Sequence, residues 1–120
     1  MGGNSGNTLT LDRLFTIADW QNELSWEPLR AGVDIYWLSR SSQGPCTALL
    51  RYQANATVPL HRHSGFEHIL VLTGAQAHER GRLDAGSLLI SPPGSEHEIH
   101  SERGCIVLAI WQYREAFLPA

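Results

Sequence analysis

The stretch His61-Arg62-His63-Ser64-Gly65-Phe66-Glu67-His68 puts three imidazoles and a carboxylate within eight residues, and all six histidines of the chain fall between positions 61 and 100. On a strand, side chains alternate, so His61 and His63 share a face with Cα atoms roughly 6.5–7 Å apart. Two imidazoles at that separation can converge on one ion at about 2.0–2.2 Å. Ser64-Gly65-Phe66 is a natural turn, which returns Glu67 on the next strand as an oxygen donor. His97 follows the tight turn Ser91-Pro92-Pro93-Gly94-Ser95 and offers a third imidazole from a separate hairpin.

Two other chemistries compete for these residues. A lone H-x-H is more often a pair of exposed polar side chains on a strand. That reading leaves Glu67, His97 and the two glycine-containing turns unexplained. A metal-free His–Glu acid/base pair does not need three histidines. Neither H-E-x-x-H nor a C-x-x-C pair is present. One divalent ion on His61, His63, Glu67 and His97 accounts for the whole pattern, with a net charge of about +1 on the assembled site. Such ligands suit Fe, Zn, Mn, Ni or Cu alike, so they do not name the metal. His68, His78 and His100 are expected at the surface or at an interface, and Arg62 is expected to point outward.

These side chains need strands to hold them. From Trp26 onward, short runs rich in Val, Ile, Leu, Tyr and Trp alternate with turn signals: "GVDIYWLSR", "CTALLRYQ", "HILVLTG", "SLLISPPGS" and "CIVLAIWQY" read as strands, with "SSQGP" and "ANATVP" between the first of them. The spacing predicts an all-β sandwich or barrel. Residues 9–24 are expected to hold one short helix with Leu11, Leu14 and Phe15 on one side. Residues 1–8 read as a disordered tail, and residues 9–120 as a single domain. In "EHILVLTG", Ile69 and Val71 oppose Leu70 and Leu72. In "CIVLAIWQY", Val107, Ala109 and Trp111 oppose Ile106, Leu108 and Ile110. Strands apolar on both faces must be covered on both. The barrel interior is one cover; a partner subunit or the N-terminal segment is the other, which is an argument for a homodimer.

Composition removes several classes. The nine basic residues are all arginine, so Schiff-base chemistry and a P-loop, which need lysine, are excluded. A net charge of −3 gives no electrostatic case for nucleic acid or an anionic membrane, and no run approaches a membrane span. "MGGNSGNTLT" has neither the basic start nor the apolar core of a secretory leader. A cytoplasmic chain with Cys46 and Cys105 as buried thiols is therefore expected, with a disulfide left open.

The sequence resembles the cupins. His61-x-His63, three residues, Glu67, six residues and Gly74 match their first motif. Gly86, five residues, Pro92-x-Gly94, two residues and His97 match the second. "WEPLRAGV", "TALLRY", "PLHRHSGFEHILVLTG", "LDAGSLLISPPGSEHE" and "GCIVLAIW", with the short gap "AQAHERGRLDA", resemble the ChrR-like cupins over about residues 26–113. That group includes the cupin domain of zinc-binding anti-sigma factors and relatives of acetylacetone-cleaving dioxygenases. The resemblance implies a double-stranded β-helix (jelly-roll) barrel with a short N-terminal extension. It implies a metal-dependent dioxygenase or related oxidoreductase acting on a small molecule, or a non-catalytic zinc-binding sensory or regulatory module. Sugar isomerisation, known on the same barrel, is argued against by the intact metal motif. Asn55 and Ser101 stand where the family usually has Gly and Asn. No segment reads as the helical zinc domain of the anti-sigma factors, so direct capture of a sigma factor is not expected. Arg51, Tyr52, Phe66, Trp111 and Tyr113 are the candidate walls of a substrate pocket, with Arg51 as an anion anchor. Plain core packing is the competing role for each.

Overall fold

In a computed structural model, residues 8–113 are described. They form nine strands: β1 (Glu27–Arg30), β2 (Val33–Ser39), β3 (Cys46–Tyr52), β4 (Ala56–Arg62), β5 (Glu67–His78), β6 (Gly81–Asp84), β7 (Leu88–Ser91), β8 (Glu96–Ser101) and β9 (Cys105–Trp111). Every pairing is antiparallel, in the order β1-β2-β3-β9-β5-β8-β4, with β6 and β7 also paired to β5. The expected jelly-roll is thus formed. "ANATVP", read as a turn, contributes its second half to β4 instead; Asn55 makes the turn with φ 67° and Ala56 starts the strand. The disordered tail expected over residues 1–8 lies, apart from Thr8, outside the described residues. No helix among them is long and apolar enough to cross a membrane.

Strand β5 turns the sheet into a half-barrel. Its first residues, Glu67–Leu70, lie between β7 and β9. Its last, Ala75–His78, pair with β6. A register shift between Val71 and Thr73 lies between the two regions, as expected where an irregularity bends a strand. Gly74 follows with φ 78°, and a Cβ there would collide with the Gly104 carbonyl oxygen, so only glycine fits.

The two apolar faces read from the sequence go to two different cores. Val33, Ile35, Leu50, Tyr52, Ile69, Val71, Val107, Ala109 and Trp111 fill the barrel. Leu49, Leu72 and Ile106 are buried on the outer face with Ile17, and Leu11, Leu14, Trp20, Leu24 and Trp26 pack around them. The N-terminal segment is therefore the second cover over this part of the sheet. It is a 3₁₀ turn (Leu14–Thr16), one α-helical turn, α1 (Ile17–Trp20), and another 3₁₀ turn (Gln21–Glu23). Leu11, Leu14, Ile17 and Trp20 recur every three residues, the spacing that aligns side chains on a 3₁₀ helix. Phe15 falls off that stripe and is 73% exposed, contrary to its expected place beside Leu11 and Leu14. The argument for a dimer is correspondingly narrower. Among the described residues, Leu88, Ile90 and Ile110 stay exposed on the outer face of β7 and β9.

The register also settles the cysteines. Cys46 pairs with Trp111 at one end of β3·β9, and Cys105 with Tyr52 at the other. Six strand residues separate the pairs by about 20 Å, far beyond the roughly 7 Å that a disulfide spans. Both are free and buried.

If Ile17 anchors the outer core, Ile17→Ala should cost about 2–5 kcal/mol, whereas Phe15→Ala should stay within about 0.5 kcal/mol. Urea unfolding of the two variants checks this; equal costs would contradict the assigned cover.

Candidate metal centre

Four elements converge at one end of the barrel interior. His61 lies near the end of β4, directly opposite His97 on β8. Cross-strand neighbours project from the same face, so the two imidazoles meet, with ring centroids 4.8 Å apart. His63 follows β4, and its backbone is clamped to the Pro92–Ser95 turn: His63 N–H donates to Ser95 O (2.9 Å) and Gly94 N–H to His63 O (2.8 Å). Glu67 opens β5. The turn that delivers it is tied down by Gln112, whose side-chain oxygen accepts from Phe66 N–H (3.0 Å) and whose own N–H donates to Phe66 O (2.9 Å).

The ligand atoms of His61, His63, Glu67 and His97 all lie within 4.8 Å of one another, and the four residues are only 1–8% exposed. His63 Nε2 is 3.2 Å from His61 Nε2 and 3.0 Å from Glu67 Oε1. His97 Nε2 is 3.6 Å from the same oxygen. Atoms that share one ion at about 2.0–2.2 Å sit about 3–3.6 Å apart in octahedral or tetrahedral arrangements, so these spacings fit a shared ion. Glu67 Oε1 and His97 Nε2 are buried with no hydrogen-bond partner, which is costly unless a cation takes their lone pairs.

The surrounding hydrogen bonds assign which ring nitrogens would face a bound ion. His61 Nδ1–H donates to Pro59 O (2.9 Å), leaving Nε2 bare. The Ser95 hydroxyl donates to Pro92 O (2.6 Å), so its oxygen is free to accept from His63 Nδ1–H (3.1 Å). Trp111 Nε1–H donates to Glu67 Oε2 (2.5 Å), holding the carboxylate with Oε1 turned to the imidazoles. Pro59 reaches His61 because a register shift interrupts β4·β8 between Val58 and His61, the kind of irregularity that tolerates proline in a strand. Ser95, Gln112 and the Pro59 carbonyl were not singled out from sequence. A hydroxyl inside the second motif was the only available hint of Ser95.

Charge follows the same design. Burial works to raise the Glu67 carboxyl, but the adjacent His63 ring, the Trp111 N–H and the nearby His97 ring outweigh it, and its pKa is lowered. Burial pushes the His97 ring down to about 4, with the Glu67 carboxylate opposing and the His63 and His61 charges adding. His97 is thus held neutral, as a ligand must be.

The candidate pocket walls separate into two groups. Tyr52 and Trp111 do line an interior cavity beside Glu67 and His61, together with Leu29, Arg30 and Leu50; its volume is about 40 Å³. Burial, reinforced by Cys105 and Glu67, pushes the Tyr52 hydroxyl pKa up. The other three do not line this cavity. Arg51 alternates outward between Leu50 and Tyr52, bonds Asp34 (2.9 Å) and stacks on Trp26 (4.4 Å to the ring centroid). Phe66 and Tyr113 are about two-fifths exposed, and Tyr113 packs against the outside of the turn at Gly65. His68 faces outward between Ile90 and Ile110, and His100 is exposed, as expected. His78 is not a plain surface residue: its ring centroid lies 6.3 Å from that of His97, and its Nε2 is buried without a partner.

Known proteins share this fold. The profile of the ChrR cupin-like domain matches residues 17–113. The anti-sigma-E factor ChrR of Cereibacter sphaeroides is 36% identical over 89 residues, covering 72% of this chain and 41% of that factor. The chain therefore spans less than half the length of that relative. Among solved structures, the complex of Rhodobacter sphaeroides SigE with the anti-sigma ChrR matches with a TM-score of 0.69 at 26% identity, covering 88% of this chain and 69% of that one. An RmlC-like cupin of Shewanella frigidimarina matches with a TM-score of 0.70 at 20% identity, over 81% and 91% of the two chains, a likeness of fold alone.

Two outcomes are expected. Ser95→Ala should weaken metal binding about 10–100-fold with the fold intact, as read by competition with a chromogenic chelator; unchanged affinity would contradict the assigned hydrogen bond. Separately, His97 ionises in the folded protein only near pH 4, below its ordinary 6.5, so the unfolded chain binds the proton first. Stability of the metal-free protein should be full above about pH 6.5 and fall as pH drops toward 4. Glu67, also lowered, acts in the same direction at lower pH. Thermal unfolding across pH 4–7 checks the slope; a flat profile would contradict a buried neutral His97.

Proposed function

The chain belongs to the ChrR cupin-like domain family, and we propose that it is a non-catalytic metal-binding module of the regulatory kind rather than an oxygenase for diketone-sized substrates. The observation that carries this reading is the pairing of four buried ligand atoms with a cavity of only about 40 Å³ beside them. Pockets for small organic ligands run to roughly 300–1,000 Å³. The cavity that His61 and Glu67 themselves line offers a β-diketone, a catechol or a thiol substrate no comparable space. Imidazole nitrogen and carboxylate oxygen are both donors that zinc takes, so zinc is the proposed ion among Fe, Zn, Mn, Ni and Cu. His61, His63, Glu67 and His97 would hold it, and the ion would supply binding energy to the folded state and a Lewis-acid centre.

A module of this kind reports metal occupancy through its own stability. The four ligands come from β4, the segment after it, β5 and β8, so the ion ties together strands far apart in sequence. The ChrR relative is found in complex with SigE; whether this chain serves a protein partner in that way is part of the proposal. So are its location in the cytoplasm, where Cys46 and Cys105 stay reduced, and a homodimer, for which sedimentation velocity at micromolar concentration should give twice the mass of the chain.

Protein purified without added metal should carry one equivalent of zinc by elemental analysis. At free zinc about 1,000 times the dissociation constant the ion should add about 4 kcal/mol of stability, so a strong chelator should lower the melting temperature by many degrees. Anaerobically iron-loaded protein should consume no O₂ over a panel of diketones, catechols and thiols. Bound iron with substrate-dependent O₂ uptake would overturn this reading in favour of the dioxygenase.

A further inference from the structure

The cavity beside the cluster contains one charge that the four ligands do not explain. Arg30 ends β1 and pairs in register with Val33 at the start of β2. Directly opposed residues share a face, and Val33 belongs to the barrel core. Arg30 is accordingly half-buried and lines the cavity with Tyr52, His61 and Glu67. No ion pair holds it among the described residues, whereas the neighbouring Arg51 is neutralised by Asp34. Its charge is felt at the Tyr52 hydroxyl, which it works to keep ionisable. At this half-buried position an arginine with no ion pair is stabilised by an anion that reaches it.

The cavity's charge and size define the missing partner. A divalent ion on three imidazoles and one carboxylate keeps a net charge of about +1, and Arg30 brings a second positive charge. Glu67 cannot answer both, because its Oε2 is occupied by Trp111 and its Oε1 faces the imidazoles. About 40 Å³ of cavity, at roughly 10–15 Å³ for each water-sized occupant, takes an anion of about three or four heavy atoms. Aliphatic side chains make up most of the rest of the lining, Leu29, Leu50, Val58, Ile69 and Ile99 among them. Four protein ligands do not exhaust the ion, since zinc accepts a fifth.

We propose that Arg30 makes this cavity a subsite for one small carboxylate-type anion at the metal, of the size of formate or bicarbonate, with the guanidinium and the Tyr52 hydroxyl as its protein partners. The inference rests on the metal-binding reading above. It assigns the site a ligand class: the module responds to a small anion as well as to its ion. Arg30 is a specificity-determining residue and Leu29, next to it, stands at the partly exposed mouth.

Cobalt(II)-substituted full-length protein tests it without reference to any activity. Its visible spectrum reports the ion and any added ligand. Titration with sodium formate, and with azide as a probe of similar size, should change the spectrum and saturate. Benzoate and acetylacetonate should not. Arg30→Leu should raise the dissociation constant for formate at least tenfold, and Arg30→Lys should recover part of it, while the anion-free cobalt spectrum stays that of the wild type. The proposal is overturned if formate and azide leave the wild-type spectrum unchanged, if Arg30→Leu binds formate as well as the wild type, or if the larger anions bind equally. In each of those cases a one-to-one cobalt spectrum leaves the metal reading standing. Absence of any cobalt spectrum sinks both.

Discussion

Three imidazole nitrogens and a carboxylate oxygen face one another inside a barrel lined by apolar side chains, and this is the constraint on which the arrangement depends. Bare lone pairs repel, and burial removes the water that would otherwise separate them. The hydrogen bonds behind the cluster make the conflict sharper rather than relieving it. Pro59 O and the Ser95 hydroxyl take the Nδ1 protons of His61 and His63, and so turn unprotonated Nε2 atoms toward Glu67 Oε1. Only a cation or a shared proton satisfies that geometry.

The fold serves this cluster through register. Antiparallel pairing sets His61 against His97 and Glu67 against Trp111, so the ligands and the indole that orients the carboxylate are placed by backbone hydrogen bonds. The inner core fixes the faces of those strands, and the outer core under the N-terminal segment presses β3, β5 and β9 from behind. A one-residue slip in any pair would send a ligand to the opposite face. The hydrophobic layers therefore specify the site as much as they stabilise the barrel.

Much of this was legible in the sequence. His-x-His with Glu67 and His97 named the four residues that meet, because period-two alternation and glycine-containing turns are local signals. Other features were out of reach for physical reasons. Arg51 and Tyr113 looked like pocket residues by type, but facing is set by register, and Arg51 lies one position off the inner set. Ser95, Pro59 and Gln112 act through hydrogen bonds between segments distant in sequence or through a bulge, and neither leaves a periodic trace. Phe15 leaves its expected face because Leu11, Leu14 and Phe15 align only at the α-helical period of 3.6, whereas the packed residues Leu11, Leu14, Ile17 and Trp20 recur every three. The size of the cavity, which turns the functional reading away from an oxygenase, depends on how side chains interdigitate and has no counterpart in a linear pattern.

The central claim is that one divalent ion is held by His61, His63, Glu67 and His97. X-ray absorption at the edge of the metal found in the purified protein addresses it most directly. The account predicts a shell of nitrogen and oxygen at about 2.0–2.2 Å with the multiple-scattering signature of three imidazoles, reduced to two in His97→Ala. A sulfur shell, or three imidazoles that persist in His97→Ala, would contradict it.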